Sequence, residues 1–348
     1  MVHDLKLGLM LGYWFAGPPP DAEAQVAAAE DLGFDSMWTA EAYGSDCFTP
    51  LAWWGARTSR MKLGTSVCQI SARTPAAVAM TALTLDHLSG GRAILGLGAS
   101  GPQVVEGWYG EPYPKPLART REYVEIVRRI LAREEPLDFQ GEHSQVPNLG
   151  EATMGLGKPL KSITHPLRAD LPIVLGAEGP KNVAMAAEIA DGWLPIFLSP
   201  KLDPHYRECL AEGFGRPDAR RTAETFEITN MVQIVIDDDV NKAADLIRMS
   251  LGFYIGGMGA REVNFHANLF ARMGYEAEVA KIQDLFLAGR KDEAIASVPL
   301  ALVEDVALVG PVDKIRGELD AWRETCMTTM LISGSPEHLR TVTDLVRG

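Results

Sequence analysis

Short apolar segments typical of β-strands alternate with segments of helical periodicity along almost the whole of this 348-residue chain. In the first pair, residues 6–12 predict a strand and residues 21–33 predict a helix that ends at Gly33. The predicted strands cover residues 6–12, 34–39, 62–68, 93–99, 172–176, 192–198, 227–236 and 327–333. Because no change in composition marks a boundary, this alternation favours a (β/α)8 TIM barrel over an open doubly wound sheet.

The chain is expected to form one barrel domain over residues 1–348, interrupted by two insertions. The first covers about residues 136–168 and is rich in proline and glycine, and the second covers about residues 253–304 and has a helical pattern. A long irregular segment in a compact protein is more often functional than idle. We therefore expect both insertions to form walls of the substrate pocket.

Composition excludes several classes of protein. The chain has 33 Lys and Arg against 46 Asp and Glu, and a net charge of −13 disfavours general nucleic-acid binding. The four cysteines lie far apart and the seven histidines have no HxH or HExxH spacing, so neither a metal site nor a disulfide framework is predicted. No segment approaches the roughly 18 apolar residues of a membrane span, and the amino terminus lacks a signal-peptide pattern. The expected location is the cytoplasm, away from membranes.

A glycine-rich segment follows the fourth predicted strand. Gly96, Gly98 and Gly101 have the GxGxxG spacing of a dinucleotide-binding turn. Pro102 and the later glycines interrupt the helix that should follow, and no acidic residue ends a second strand about 20 positions further on. The segment is better interpreted as a wall beside a planar ring than as a pyrophosphate loop.

Four strand ends carry residues suited to ligand contact: 38–41, 65–69, 96–101 and 175–180. In a TIM barrel these ends meet at one mouth, where the active site lies. Gly176 and Gly179 allow close backbone approach and Pro180 suits the first position of a helix, so this turn resembles a phosphate cradle. An ordinary strand-to-helix turn needs similar glycines, and both interpretations stay open. Glu41 is a candidate to accept a hydrogen bond from a ring or to act as a general acid, although a surface role is common for glutamate.

The segments 63–67, 95–108, 176–180 and 190–193, in this order, resemble the luciferase-like flavin and deazaflavin oxidoreductases. Within that superfamily the sequence is most similar to enzymes that use coenzyme F420, a group that includes methylenetetrahydromethanopterin reductase and F420-dependent sugar-phosphate and alcohol dehydrogenases. The resemblance implies a ring across the barrel mouth and a cis peptide bond between Ser66 and Val67. It also implies pairing into homodimers or higher homo-oligomers.

The resemblance further implies a set of cofactor-binding residues. The ring would contact the ends of the second to fourth strands, and the phosphate would lie at the turn after the fifth. The implied residues are Glu41, Thr65, Ser66, Val67, Cys68, Gln69, Gly98, Ala99, Ser100, Gly176, Ala177, Glu178 and Gly179. Arg73 and Lys181 are the candidates to meet an anionic cofactor tail.

One departure from the family pattern bears on the reaction. Several F420 dehydrogenases have an Asp-His pair after the second strand, whereas this chain has Glu41-Ala42. Because the histidine that would act as a base is missing, the sequence favours hydride transfer from reduced F420 to a small organic substrate, with Glu41 as the candidate catalytic residue. An FMN-dependent monooxygenase of the same superfamily and a cofactor-free binding barrel are the alternatives.

Overall fold

The computed structural model describes residues 5–258 and 264–348 and has the predicted architecture, a closed barrel of eight parallel strands with helices between them. The strands are β1 (Lys6–Gly12), β2 (Ser36–Thr39), β3 (Lys62–Thr65), β4 (Cys68–Gln69), β5 (Ala93–Gly98), β6 (Phe139–Gln140), β7 (Gln145–Val146), β8 (Ile173–Gly176), β9 (Gly192–Leu194), β10 (Glu227–Met231), β11 (Gln233–Ile236), β12 (Ala307–Gly310) and β13 (Thr329–Ile332). Residues 1–4, on which part of the signal-peptide argument rests, and residues 259–263 of the second insertion lie outside the described residues.

The helices form the outer layer. They are α1 (Ala22–Asp31), α2 (Phe48–Gly55), α3 (Pro75–Ser89), α4 (Pro102–Gly107), α5 (Pro116–Ala132), α6 (Pro180–Ile189), α7 (Asp203–Phe214), α8 (Val240–Gly256), α9 (Phe265–Phe270), α10 (Glu276–Leu287), α11 (Lys291–Ala296), α12 (Leu300–Val306), α13 (Val312–Arg323) and α14 (Pro336–Arg347), with a π-helical turn at Ala271–Tyr275. Local sequence sets their ends: Thr74 caps α3 through its side chain, and Gly90 stops it in the left-handed conformation.

The barrel closes through pairs of neighbouring parallel strands. Going round, β1 pairs with β2, then follow β3, β5, β8, β9, β10 and β13, and β13 pairs again with β1. Inside, the Trp38 ring packs against Val174, Leu194 and Leu331. Gly64 leaves the room for this ring, since a Cβ at that position would overlap it. Because side chains fill the interior, a ligand has to bind at an end of the barrel.

The structure corrects two predicted strands. The third, 62–68, is interrupted between β3 and β4 by the Ser66–Val67 peptide. The seventh, 227–236, is two strands: β10 belongs to the barrel, whereas β11 leaves it and pairs with β12. A continuous stretch of β-prone residues does not reveal that the chain leaves one sheet and joins another. Which sheet a strand joins depends on the strands it pairs with, and those lie elsewhere in the chain. The sequence prediction also missed β12 and α13.

The insertions contain regular structure. Within 136–168, β6 and β7 form a short antiparallel hairpin that ends at the cis Val146–Pro147 bond. Within 253–304, the described residues form the end of α8, the helices α9 to α11 and most of α12. Among the helices that the structure describes, none is both long and apolar enough to cross a bilayer.

Replacing Gly96 by alanine tests the closure of the barrel. The new Cβ would overlap the carbonyl oxygen of Thr65 on the neighbouring strand, so we expect the free energy of unfolding to fall by about 3 kcal/mol. The measurement is chemical denaturation followed by circular dichroism. The control, Gly317→Ala in α13, adds a Cβ that has nothing within 4 Å and should not destabilise the protein. Equal stability of both variants would contradict this account of the packing.

Candidate active site

Four of the predicted strand ends lie side by side at the carboxyl end of the barrel. Thr39 at the end of β2 pairs in register with Thr65 at the end of β3, and Leu97 of β5 pairs with both Cys68 and Leu175. The residues that follow these pairs therefore surround one opening, which we call the mouth. The structure thus brings together the segments that the sequence predicted to form the site.

The floor of the mouth is built around the Ser66–Val67 peptide bond, and the predicted cis conformation is confirmed. The Ser66 amide donates a hydrogen bond to the Thr39 carbonyl at 2.7 Å. The Thr65 hydroxyl donates to the Gly96 carbonyl at 2.7 Å and accepts from the Gly96 amide at 2.8 Å. These hydrogen bonds hold the backbone next to the Ser66–Val67 peptide bond against both neighbouring strands, β2 and β5.

The Val67 side chain lies across the glycines of two other strands. A Cβ on Gly98 would overlap Val67 Cγ2, and a Cβ on Gly176 would lie 3.0 Å from Val67 Cγ1. The two predicted glycines therefore have a clear structural function here, because they leave room for an apolar platform at the centre of the mouth.

The predicted ring residues divide into two groups by exposure. Ser66, Val67, Ala99 and Ser100 are half-buried, as are the four residues of the turn 176–179. Thr65, Cys68, Gln69 and Gly98 are buried beneath them. Ser100 has a φ of 58°, and its carbonyl accepts a hydrogen bond from the Tyr113 hydroxyl. The half-buried residues therefore form the exposed surface of the mouth, and the buried ones lie directly under it.

Glu41 lies at the mouth but is fully engaged by protein groups. Its side chain is 4% exposed, its Oε1 lies 2.7 Å from Arg73 Nη1, and its Oε2 accepts from the Gln69 amide at 3.0 Å. Burial lowers the pKa of Arg73, but the hydrogen bond with Glu41 and the electrostatic effect of Cys68, Glu41 and Cys47 together outweigh it and raise that pKa above its usual range. The guanidinium therefore stays charged. Arg73 Nη1 is engaged by Glu41, and contact between Arg73 and a cofactor tail stays a prediction.

Cys68 is also buried, and its thiol contacts other protein groups. Its thiol lies 3.6 Å from Arg73 Nη1, and it forms a hydrogen bond with Cys47 that, together with burial, raises the pKa of the Cys47 thiol far above its usual range. Glu41, Cys47 and Cys68 offer three metal-ligand atoms within 4.8 Å of one another. The charged Arg73 contacts this group, so a cation would be repelled there.

Gln69 has one buried oxygen without a partner. Its amide nitrogen donates to the Glu41 carbonyl at 3.1 Å, while its Oε1 makes no hydrogen bond within the part of the chain that the structure describes. Gln69 pairs in register with Gly98, beside the Val67 platform. A buried acceptor left unpaired costs about 1–3 kcal/mol, so a ligand N–H at this position would be stabilised.

The turn 176–179 leads directly into α6. Gly179 precedes Pro180 with a φ of −71°, and a Cβ there would meet nothing within 4 Å. The Trp193 indole donates to the Ala177 carbonyl at 2.8 Å and holds the turn in place. Open space before a helix amino terminus suits a phosphate. Lys181, the other basic candidate, instead lies with Arg121 and Glu212 on the outer helices.

The second insertion brings a histidine to the mouth that sequence reasoning missed. His266 Nδ1 lies 2.7 Å from Oε1 of Glu178, and the ring packs against the edges of Tyr254 and Phe197. Nothing in the sequence pattern connects residues 88 positions apart, since the contact depends on how the insertion folds back. The histidine that is missing after the second strand is still absent, since residue 42 is alanine, but another histidine lies at the mouth.

A separate cavity of about 280 Å³ lies at the opposite end of the barrel, where the strands begin. Most of its charged residues are in ion pairs: Lys62 with Asp35, Arg168 with Asp86, Arg221 with Asp191 and Glu227 with Lys6, while Arg92 donates hydrogen bonds to the Met61 and Thr58 carbonyls. Asp191 is also paired with Arg128 and Arg220. Because these charges satisfy one another and active sites of such barrels lie at the carboxyl end, the mouth is the candidate site.

A filled parallel barrel with an interrupted third strand, a glycine-lined floor and an open turn before a helix defines a (β/α)8 barrel protein with its mouth at the carboxyl ends of the strands. The model of the luciferase-like monooxygenase family matches residues 11–329, and the chain belongs to that family.

Several relatives cover nearly the whole chain. A Mycobacterium tuberculosis protein, assigned provisionally by its name to the coenzyme F420-dependent oxidoreductases, is 59% identical over 347 residues, which are 99% of this chain and 100% of that protein. The 5,10-methylenetetrahydromethanopterin reductase of Archaeoglobus fulgidus is 27% identical over 91% of this chain and 90% of its own. The solved F420-dependent tetrahydromethanopterin reductase of Methanopyrus kandleri has the same fold, with a TM-score of 0.76, 22% identity and 99% of each chain covered.

Replacing Arg73 by methionine tests whether Glu41 depends on its partner. The change leaves a buried carboxylate unpaired while keeping an apolar side chain near Phe48, so we expect the free energy of unfolding to fall by about 3 kcal/mol. The control is Lys115→Met in the exposed Lys115–Glu142 pair, for which we expect a loss of about 0–1 kcal/mol. Urea denaturation of both variants provides the comparison. Similar losses would show that the Glu41–Arg73 pair contributes no more than a surface pair.

Proposed function

We propose that this protein is an F420-dependent oxidoreductase that transfers hydride from C5 of the reduced deazaflavin to a small organic substrate. The observation that carries the proposal is the floor of the mouth, where Val67 lies across Gly98 and Gly176 and Gln69, whose Oε1 has no partner within the described residues, stands in register with Gly98. The proposal is further supported by the full-length relative at 59% identity that is assigned to F420-dependent oxidoreductases.

The residues at the mouth fit a deazaflavin ring. The ring would lie on the Val67 platform, between Ser66 on one side and Ala99 and Ser100 on the other. A flavin-type ring carries an imide N–H, which matches the unpaired acceptor of Gln69. The ring itself supplies the hydride chemistry, and the protein's role is to position ring and substrate face to face.

The turn 176–179 would hold the cofactor phosphate. Gly176 and Gly179 allow the backbone to approach closely, and the amino terminus of α6 favours an anion. Ala177 is fixed by the hydrogen bond from Trp193, so the turn is held in place before the ligand arrives. Glu178 directs its side chain to His266, which leaves the backbone of the turn as the phosphate contact.

Glu41 is proposed to act as a positioning residue. Both of its oxygens are occupied, by Arg73 and by the Gln69 amide, so no oxygen is free to exchange a proton with a substrate. Its hydrogen bonds hold β4, and hence Gln69, against the platform. This revises the catalytic role that the sequence suggested for Glu41.

Titration against two cofactors tests the proposal. We expect purified protein to quench F420 fluorescence at a saturable site and to bind FMN at least about tenfold more weakly, which corresponds to about 1.4 kcal/mol. Tight binding of FMN with no quenching of F420 would instead support an FMN-dependent monooxygenase, the activity in the family's name. Binding of neither cofactor would support a cofactor-free barrel.

Replacing Gly179 by leucine tests the phosphate position. Its backbone angles suit any residue and its Cβ has open space, so we expect the melting temperature to stay unchanged. The side chain would fill the phosphate cradle, and we expect the dissociation constant for F420 to rise about 100-fold, or about 2.7 kcal/mol. Gly317→Leu on the exposed outer face of α13 is the control. Unchanged F420 affinity in Gly179→Leu would show that the phosphate lies elsewhere.

A further inference from the structure

The His266–Glu178 pair is a histidine–carboxylate couple at the mouth that the proposed cofactor site does not use. The two side chains are each 17% exposed, and Nδ1 of His266 is buried 2.7 Å from Oε1 of Glu178. The angle of this contact is not that of a linear hydrogen bond, and Nδ1 makes no other bond within the described residues. A small rotation of either side chain would align the donor with the carboxylate.

The position of His266 is fixed by the start of α9. The Asn264 side chain accepts a hydrogen bond from the Ala267 amide at 2.9 Å and donates to the Ile255 carbonyl at 2.8 Å. These bonds tie the first turn of α9 to the end of α8. The imidazole is therefore held by the fold, and its position does not depend only on its contact with Glu178.

The solvent-exposed part of the His266 side chain does not include Nδ1. Because Nδ1 is buried, the 17% of the side chain that solvent reaches belongs to the rest of the ring, and Nε2 has no hydrogen bond within the parts of the chain described. A carboxylate at Nδ1 orients a histidine and leaves Nε2 for proton exchange. His266 has this arrangement.

Other acidic groups near the mouth are less suitable. Burial raises the pKa of Tyr254, and the neighbouring Tyr13 hydroxyl and the Glu178 carboxylate raise it further. Burial also raises the pKa of Tyr13. Glu41 has both oxygens occupied. His266, by contrast, has an exchangeable nitrogen that no group in the described part of the chain occupies.

We propose that His266, oriented by Glu178, is the proton donor of this enzyme. Because hydride addition to a neutral carbonyl leaves an alkoxide that needs a proton, the substrate class that such a donor serves is a ketone or aldehyde. The inference rests on the proposed function. Hydride from C5 of reduced F420 would form a C–H bond at the carbonyl carbon as the C=O π bond breaks, and the oxygen would take the Nε2 proton of the doubly protonated His266, which is left neutral with its hydrogen on Nδ1. The substrate would gain two electrons and become an alcohol, the oxidised cofactor would release its one remaining ring proton to solvent, and His266 would recover a proton from water.

Nitrogen NMR of the histidine side chains tests the pair without any turnover. In ¹⁵N-histidine-labelled protein with F420 bound, we expect the neutral His266 ring to carry its hydrogen on Nδ1 and to lose this preference in Glu178→Leu. His266→Gln assigns the signal. The matched control is Glu142→Leu, since His143 has the same side-chain exposure and faces Glu142 at 3.9 Å. A hydrogen on Nε2 in the wild type, or no change in Glu178→Leu, would overturn the role of Glu178.

Kinetics with cyclohexanone and 2-cyclohexen-1-one as probes test the donor. We expect His266→Ala to lower kcat at least about 100-fold, while KM and F420 affinity stay within about twofold and added imidazole restores part of the rate. His143→Ala should match the wild type. A wild-type kcat in His266→Ala would overturn the donor role, and reduction of neither probe by F420-loaded protein would overturn the substrate class.

These outcomes separate the two proposals. Absence of F420 quenching in the wild type counts against the proposed function, and the NMR measurement on the cofactor-free protein then still decides whether Glu178 orients His266. Quenching together with an unchanged kcat in His266→Ala retains the proposed function and removes only the proton donor.

Discussion

The contact between the end of β3 and the glycines of β5 is the constraint on which the mouth depends. Thr65 exchanges two hydrogen bonds with Gly96, and no side chain fits at Gly96 because the Thr65 carbonyl occupies that space. This close approach closes the barrel and sets the bulge that follows. The Val67 side chain then lies over Gly98 and Gly176. The contact between the end of β3 and β5 therefore determines where a ligand can lie.

The Glu41–Arg73 ion pair also stabilises this part of the mouth. It joins the residue that follows β2 to the segment before α3, and Glu41 holds the amide of Gln69. A buried carboxylate is costly alone, but a charged guanidinium and a backbone amide satisfy its oxygens. Gln69 Oε1 therefore stays without a partner in the described part of the chain because its neighbours are fixed.

The sequence predicted those features that depend on local pattern. Strand–helix alternation indicated the barrel, and the segments around Ser66, Gly98 and Gly176 indicated the location of the mouth. The cis bond was expected from the family resemblance alone. The pattern did not predict that β11 leaves the barrel, because pairing with β12 is set by residues far along the chain. It also assigned Glu41 a catalytic role, since the approach of Arg73 is visible only after folding. His266 was missed for the same reason, as α9 meets Glu178 only when the insertion folds over the barrel.

A crystal structure of the protein with F420 bound would locate the ring and the phosphate directly. We expect the ring to lie on Val67 with an imide N–H within hydrogen-bond distance of Gln69 Oε1, the phosphate to lie at 176–179, and His266 to face the space beside the ring. A ring placed away from Val67, or F420 bound in the cavity at the opposite end of the barrel, would contradict the proposed site.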